Sequence, residues 1–181
     1  MNLALKEWAS VVAALEGGRQ ICLLRKGGIV DVQRGHFQLR ERRFLLFPTY
    51  EHEHRLLVKE PFQKWIKPAP DERIAISLVC DVSDVFATRG FEALQCAEAE
   101  FIWNDAFLKK RLDYRSDLPL YCVLVRAYRL REPVLISDRP SYSGCKSIVH
   151  LTEEFDVSGA SPVLSDAEYQ RKQEALLAAL G

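Results

Sequence analysis

Nowhere in the 181 residues do apolar side chains run for the ~20 positions that a membrane-spanning helix requires. No charged segment followed by an apolar one opens the chain, so secretion is not expected and the predicted location is the cytoplasm. The five cysteines (Cys22, Cys80, Cys96, Cys122 and Cys145) are odd in number and include no C-x-x-C pair. A disulfide framework is therefore disfavoured, and reduced thiols in a reducing compartment are expected. Internal repeats and low-complexity tracts are missing, as is the regular strand–helix alternation of a doubly wound fold. Charge of one sign is also missing, because 25 Lys and Arg balance 25 Asp and Glu.

That balance hides an uneven distribution. Residues 1–70 carry a charge of +5, 71–105 carry −6, 106–150 carry +5 and 151–181 carry −4. Two basic blocks on one face would hold a polyanion. The same blocks can equally neutralise their acidic neighbours across the fold, since blockwise charge says nothing about geometry.

Apolar spacing predicts the elements. Leu5, Trp8, Val12 and Leu15 recur at intervals of three and four, which predicts one amphipathic helix through L-A-L-K-E-W-A-S-V-V-A-A-L-E, stopped by Gly17-Gly18. I-C-L-L-R (21–25) reads as a strand closed by the turn K-G-G, and R-F-L-L-F (43–47) as a strand ended by Pro48. Leu56 to Val58 is expected as a third strand, with a short helix around Gln63 to Ile66. From Arg73 to Phe86 the residues nearly alternate, placing Ile74, Ile76, Leu78, Cys80 and Val82 on one face. A helical patch follows, and Asn104 is a good N-cap for D-A-F-L-K-K-R-L. P-L-Y-C-V-L-V-R-A-Y-R-L (119–130) is apolar on both faces in its first half, as a strand inside a sheet should be. Residues 132–144 are predicted as a loop before a last strand, C-K-S-I-V-H-L, and Ser165 with Glu168 marks the capping box of a C-terminal helix. The predicted fold class is α+β: a mixed, mostly antiparallel sheet, or a small barrel, with flanking helices. Residues 1–155 form one domain in this reading, with 156–181 as linker and C-terminal helix.

The candidate sites each carry two readings. In F-P-T-Y-E-H-E-H (47–54), His52 and His54 are two apart and would share one face of a strand. Two imidazoles fall short of the three protein ligands normal for catalytic zinc, so no metal is expected, and Tyr50 with His52 reads instead as a polar-aromatic pocket rim. Arg25-Lys26-Gly27-Gly28 is a basic tip whose glycines allow close approach to a phosphate; an ordinary solvated hairpin turn explains it too. Neither a P-loop nor a dinucleotide fingerprint is present. Cys145 beside Lys146 would be a nucleophile if its pKa were lowered and a histidine stood near, yet no catalytic-cysteine signature surrounds it. Arg126 must meet an acid or a bound anion, with Asp81 the acidic candidate. Tyr50, Trp65, Trp103 and Tyr142 can stack on a base or fill core. The acid and acid-x-lysine of a restriction-type nuclease is not matched, since A-E-A-E-F (97–101) lacks the lysine.

A-L-K-E-W-A (4–9), L-L-R-K-G-G-I (23–29), F-P-T-Y-E-H (47–52), K-R-L-D-Y-R (110–115), the 119–130 strand and Y-S-G-C-K-S (142–147) together resemble the domain of unknown function 1802 family. The resemblance to this uncharacterised bacterial family covers nearly the whole chain up to about His150. It brings no activity; it implies an association with Mrr-like restriction endonuclease domains, and hence a restriction-modification role in which a partner does the cutting. A helix followed by Gly18-Arg19 through Arg25 also resembles the opening of the PUA-like barrels (ASCH and EVE). That resemblance implies a concave pocket reading RNA or flipped, modified DNA bases.

These expectations converge on a nucleic-acid-binding module, a reader of plain or modified bases in a bacterial restriction or defence system, without a cofactor. Its expected partners are DNA or RNA and a restriction-endonuclease subunit. Phosphates are expected against Arg25, Lys26, Gly27, Gly28, Arg126 and Lys146, with Tyr50 and His52 lining the base pocket. Two alternatives stand beside it: a small hydrolase using Cys145 or the His52/His54 pair, and a protein-interaction subunit whose C-terminal helix docks a nuclease.

Overall fold

The computed structural model describes residues 1–26, 30–33, 36–39, 41–51, 53–144 and 146–180. Strand β1 (Leu3–Trp8) runs directly into helix α1 (Ala9–Glu16), followed by β2 (Cys22–Arg25). Strands β3 (Val30–Gln33) and β4 (His36–Leu39) pair as a separate hairpin. Next come β5 (Arg43–Thr49), two 3-10 turns, the long β6 (Arg73–Ala87), α2 (Phe91–Cys96) and α3 (Asp105–Asp113). The chain closes with β7 (Tyr121–Ser137), β8 (Ile148–His150), β9 (Ser161–Pro162) and α4 (Asp166–Leu180). Seven strands form one sheet in the order β2-β7-β6-β5-β1-β8, with β9 beside β7. Among the described residues only the β1–β5 pair is parallel, so the fold is the α+β class with a mixed, mostly antiparallel sheet. The sheet is not closed: β2 and β8 end its order, and the small-barrel alternative is not formed.

The opening segment differs from its prediction. Leu3–Trp8 is a strand, and only Ala9–Glu16 is helical. The apolar spacing there suits either conformation, and two ladders decide it: Ala4 to Trp8 pair with Leu45 to Thr49, and Leu3 to Leu5 with His150 to Ile148. Ala4 and Leu5 consequently enter different hydrophobic clusters on opposite faces of the sheet. Helix α1 ends in a Schellman motif. Arg19 N–H donates to Ala14 O at 2.8 Å and Gly18 N–H to Leu15 O at 3.0 Å, with Gly18 at φ 65°.

The alternation in β6 does not define a single face. Ile74, Ile76 and Val79 belong to one cluster, while Leu78, Cys80 and Val82 belong to the other. The cause is a bulge. Ile76 pairs with Val134 but Leu78 pairs with Arg129, so Ser77 opposes four residues of β7, and side chains switch faces there. Pro133 sits in that bulge, where no ladder hydrogen bond is required of it. Strand β7 then continues to Ser137, through half of the predicted 132–144 loop. Strand β5 likewise passes Pro48 to Thr49, because its ladder with β6 is registered only at Arg43 to Leu45. Arg55–Leu57 is a 3-10 turn instead of a strand, and Val58 makes a single bridge to Trp103.

The larger cluster fills the face covered by the helices. Val11, Leu15, Leu23, Leu78, Leu94, Trp103, Leu108 and Val125 meet there, and α4 adds Tyr169, Leu176 and Leu180. The smaller cluster gathers Phe47, Ile76, Tyr142, Val149 and Phe155 on the other face. Two caps stand as the sequence predicts. Asn104 accepts from Phe107 N–H at 3.2 Å, and Ser165 and Glu168 exchange side-chain and backbone bonds at the start of α4.

Candidate functional site

In a flat sheet, the four steps from β2 to β1 would separate these strands by about 19 Å. Arg25, the last residue of β2, nevertheless donates from Nη2 to the Lys6 carbonyl at 2.7 Å. The same nitrogen stands 3.0 Å from the Glu7 carboxylate, and the two side chains are 10% and 13% exposed. The sheet therefore coils until its β2 end faces β1, and one arginine side chain spans the remaining gap.

A cavity of about 500 Å³ opens along this seam. Strand β1 supplies Lys6, Glu7 and Trp8; the end of β2 supplies Arg25 and Lys26; α3 and the turn after it supply Phe107, Arg111 and Arg115; the loop before β8 supplies Lys146. Among the described residues, six cations (Lys6, Arg25, Lys26, Arg111, Arg115 and Lys146) thus line the cavity with two carboxylates, Glu7 and Glu51. One wall is aromatic. Trp103 and Phe107 stack with centroids 4.8 Å apart and planes 9° apart, and Phe107 meets Trp8 edge-on at 5.2 Å.

Several of these cations are held by backbone carbonyls. Lys26 is 6% exposed and donates to Leu112 O at 2.5 Å and Arg115 O at 3.1 Å, at the C-terminal end of α3, where the helix dipole favours a cation. Burial pushes its ammonium below the usual lysine range, and the charge of Arg111 pushes the same way. Arg111 donates to Leu24 O at 3.3 Å. Its guanidinium is also lowered, first by burial and then by Arg25, with Glu7 opposing. The Nε atoms of Arg25 and Arg111 are buried without an acceptor among the described residues. Lys6 donates to Tyr142 O at 2.7 Å and Gly144 O at 3.0 Å, drawing the loop before β8 toward β1. Gly144 takes φ 84° there. Arg115 adopts φ 47°, a left-handed conformation that costs a non-glycine residue roughly 1–2 kcal/mol.

A second cavity of about 300 Å³ adjoins the first and shares Lys6, Thr49 and Glu51 with it. Phe47, Pro48, Tyr50, Pro68 and Tyr142 give it an apolar lining, with Lys67, Asp138 and Ser143 as polar groups. Tyr142 is fixed as a wall: its ring lies edge-on to Phe47 at 5.6 Å, and its hydroxyl is 2.9 Å from that of Thr152. Tyr50 is half-buried, and burial followed by the charge of Glu53 raises its phenol above the ordinary value.

Of the residues singled out from sequence, the seam brings Arg25, Lys26 and Lys146 together, with Tyr50 in the adjoining chamber. Gly27, Gly28, His52 and Cys145 lie outside the described residues. Arg126 is elsewhere. It pairs with Asp166 at the start of α4 and stacks over Tyr169 at 5.2 Å, while Asp81 pairs with Arg43 at 3.3 Å. Trp103 lines the cleft and Tyr142 the chamber, but Trp65 stacks on Phe62 at 5.3 Å. Lys6, Glu7, Arg111 and Arg115 escape the sequence reading. The nearest signal for the two arginines is the run K-R-L-D-Y-R, whose spatial partner β2 lies about 85 residues upstream. Among the described residues no group of three or more His, Cys, Asp and Glu is placed to hold a metal, and no helix is long and apolar enough to cross a membrane.

No curated protein and no solved structure matches the chain. The family model for a domain of unknown function, DUF1802, matches residues 4–175, and the chain belongs to that family.

Proposed function

We propose that the protein binds nucleic acid, with a strand's phosphates lying in the seam between β1 and β2. The observation that carries this reading is the excess of cations in one concavity: six against two carboxylates, in a chain with no net charge. Burial first, and then the charge of Arg25, depress Arg111's affinity for its proton, with Glu7 opposing. An anion entering the cleft relieves that repulsion, in surroundings where charge–charge terms are stronger than in water. The aromatic wall of Trp8, Phe107 and Trp103 gives a strand an apolar surface beside the phosphates. At about 500 Å³ the cavity suits a single-stranded segment or strand end better than the face of a duplex. A place in bacterial restriction or defence is supported by the family resemblance alone, and the cutting would then fall to a partner.

Fluorescence polarisation with a labelled single-stranded oligonucleotide across a salt series tests this. Binding should weaken steeply with salt, and Arg111→Ala should reduce the slope by about 1. Arg126→Gln, away from the cleft, should leave the slope alone. Salt-independent binding, no binding to DNA or RNA, or equal effects of the two substitutions would reject the proposal.

A further inference from the structure

The adjoining chamber has a shape and lining that the cationic cleft lacks. It holds about 300 Å³, the lower end of the range for small-molecule sites, and meets the cleft across Lys6, Thr49 and Glu51. A group entering it therefore remains covalently within reach of a phosphate bound in the cleft. Its apolar lining includes the rings of Tyr50 and Tyr142 and the prolines Pro48 and Pro68. Its polar groups are unequal in kind. Glu51 and Asp138 are acceptors when ionised, Lys67 is a donor, and Ser143 can do either.

We propose that this chamber receives the base of a nucleotide whose phosphate occupies the cleft, and that it favours bases bearing an exocyclic amino group. The proposal rests on the phosphate reading of the cleft and names the ligand unit that the combined site takes. A planar heterocycle matches the ring-and-proline walls, as base–aromatic stacking does generally. An exocyclic amine donates to a carboxylate such as Asp138, whereas the carbonyl at the same position of uracil would face it acceptor to acceptor. Lys67 supplies a donor for the ring nitrogen or carbonyl acceptors that every base carries. Because a base stacked in a duplex cannot enter such a chamber, the unit recognised is an unpaired or extruded nucleotide.

The experiment compares cytidine 5′-monophosphate, uridine 5′-monophosphate and ribose 5-phosphate by calorimetry, with the intrinsic fluorescence of Trp8 and Trp103 as a second readout at the cleft wall. The cytidine nucleotide should bind about tenfold more tightly than ribose 5-phosphate, the difference being the stacked base. It should also bind more tightly than the uridine nucleotide. Tyr50→Ala should erase the advantage over ribose 5-phosphate without weakening the sugar phosphate itself. Asp138→Asn, an exposed position with little risk to folding, should reduce the preference for cytidine over uridine. Equal affinity for nucleotide and sugar phosphate overturns the chamber but leaves the cleft intact. Equal affinity for the two nucleotides overturns the preference for an amino group. If no phosphate compound or oligonucleotide binds at all, the cleft reading fails with it.

Discussion

The guanidinium of Arg25 stands 3.0 Å from the carboxylate of Glu7, joining two strands that share no ladder. Both side chains are largely buried, so removing either partner leaves a charge with reduced access to water. Arg25→Met should destabilise the fold by about 3 kcal/mol, since it removes the bond to the Lys6 carbonyl as well as the ion pair. Urea denaturation midpoints measure this directly.

Glu7→Gln separates stability from binding. The amide keeps an oxygen for Arg25 but deletes one of the two negative charges facing the cleft. The variant should lose about 1–3 kcal/mol of stability while binding an oligonucleotide several-fold more tightly at low salt. Polarisation titrations at two ionic strengths would show it, and unchanged affinity would mean that Glu7 does not oppose ligand charge.

Gly18 closes α1 at φ 65°, and a Cβ there would lie 2.6 Å from Leu164 Cδ2. Gly18→Ala should therefore cost about 1–3 kcal/mol, combining the left-handed penalty with displacement of Leu164. Ser165→Ala, which removes the hydroxyl accepting from Glu168 N–H, should cost about 1 kcal/mol. Thermal melts of the two single variants and the double variant would show whether the neighbouring sites couple.

Glu53 accepts the Ser10 N–H at 2.8 Å from across the start of α1. Burial raises its carboxyl above the ordinary value, Glu7 adds to the rise, and hydrogen bonding from Ser10 opposes it. The folded state thus holds this proton more tightly than the unfolded chain. It binds more protons between the two values, and this residue's contribution to stability falls as pH rises from the usual carboxyl range through the folded value. Glu53→Gln keeps an acceptor for Ser10 and cannot ionise. Its stability relative to the wild type should rise across that same window, and denaturation curves that stay parallel at every pH would contradict the assignment.

Features encoded within a few residues were legible in the sequence. The Asn104 cap and the Ser165–Glu168 box are side-chain to backbone bonds spanning three positions, and their residue types announce them. Strand β2 and the start of β6 carry their own apolar signals. What failed depended on distant partners. Leu3–Trp8 is a strand because β5 and β8 pair with it, and no local spacing reports that. The face switch at Ser77 depends on how many residues β7 places opposite it. The site divides in the same way. Arg25, Lys26 and Lys146 stand out as cations near glycines, and Tyr50 as an aromatic after a proline. Arg111 looks like any cation in the last turn of a helix, and Glu7 like any acid. Their roles follow from the coiling of the sheet, which is why Arg126, equally conspicuous in the sequence, proves to anchor α4 instead.

A continuous ladder between β2 and β1 would leave no entrance there. Here a side-chain clasp from Arg25 joins them, and the clasp lines the cleft. A solute that draws Arg25 away from Glu7 loosens the same joint that holds the two strand ends together, while one that bridges Arg25 and Lys6 tightens it. Occupancy and unfolding free energy are therefore linked through one guanidinium: a ligand of the folded cleft raises the melting temperature, by less where binding must break the Arg25–Glu7 pair.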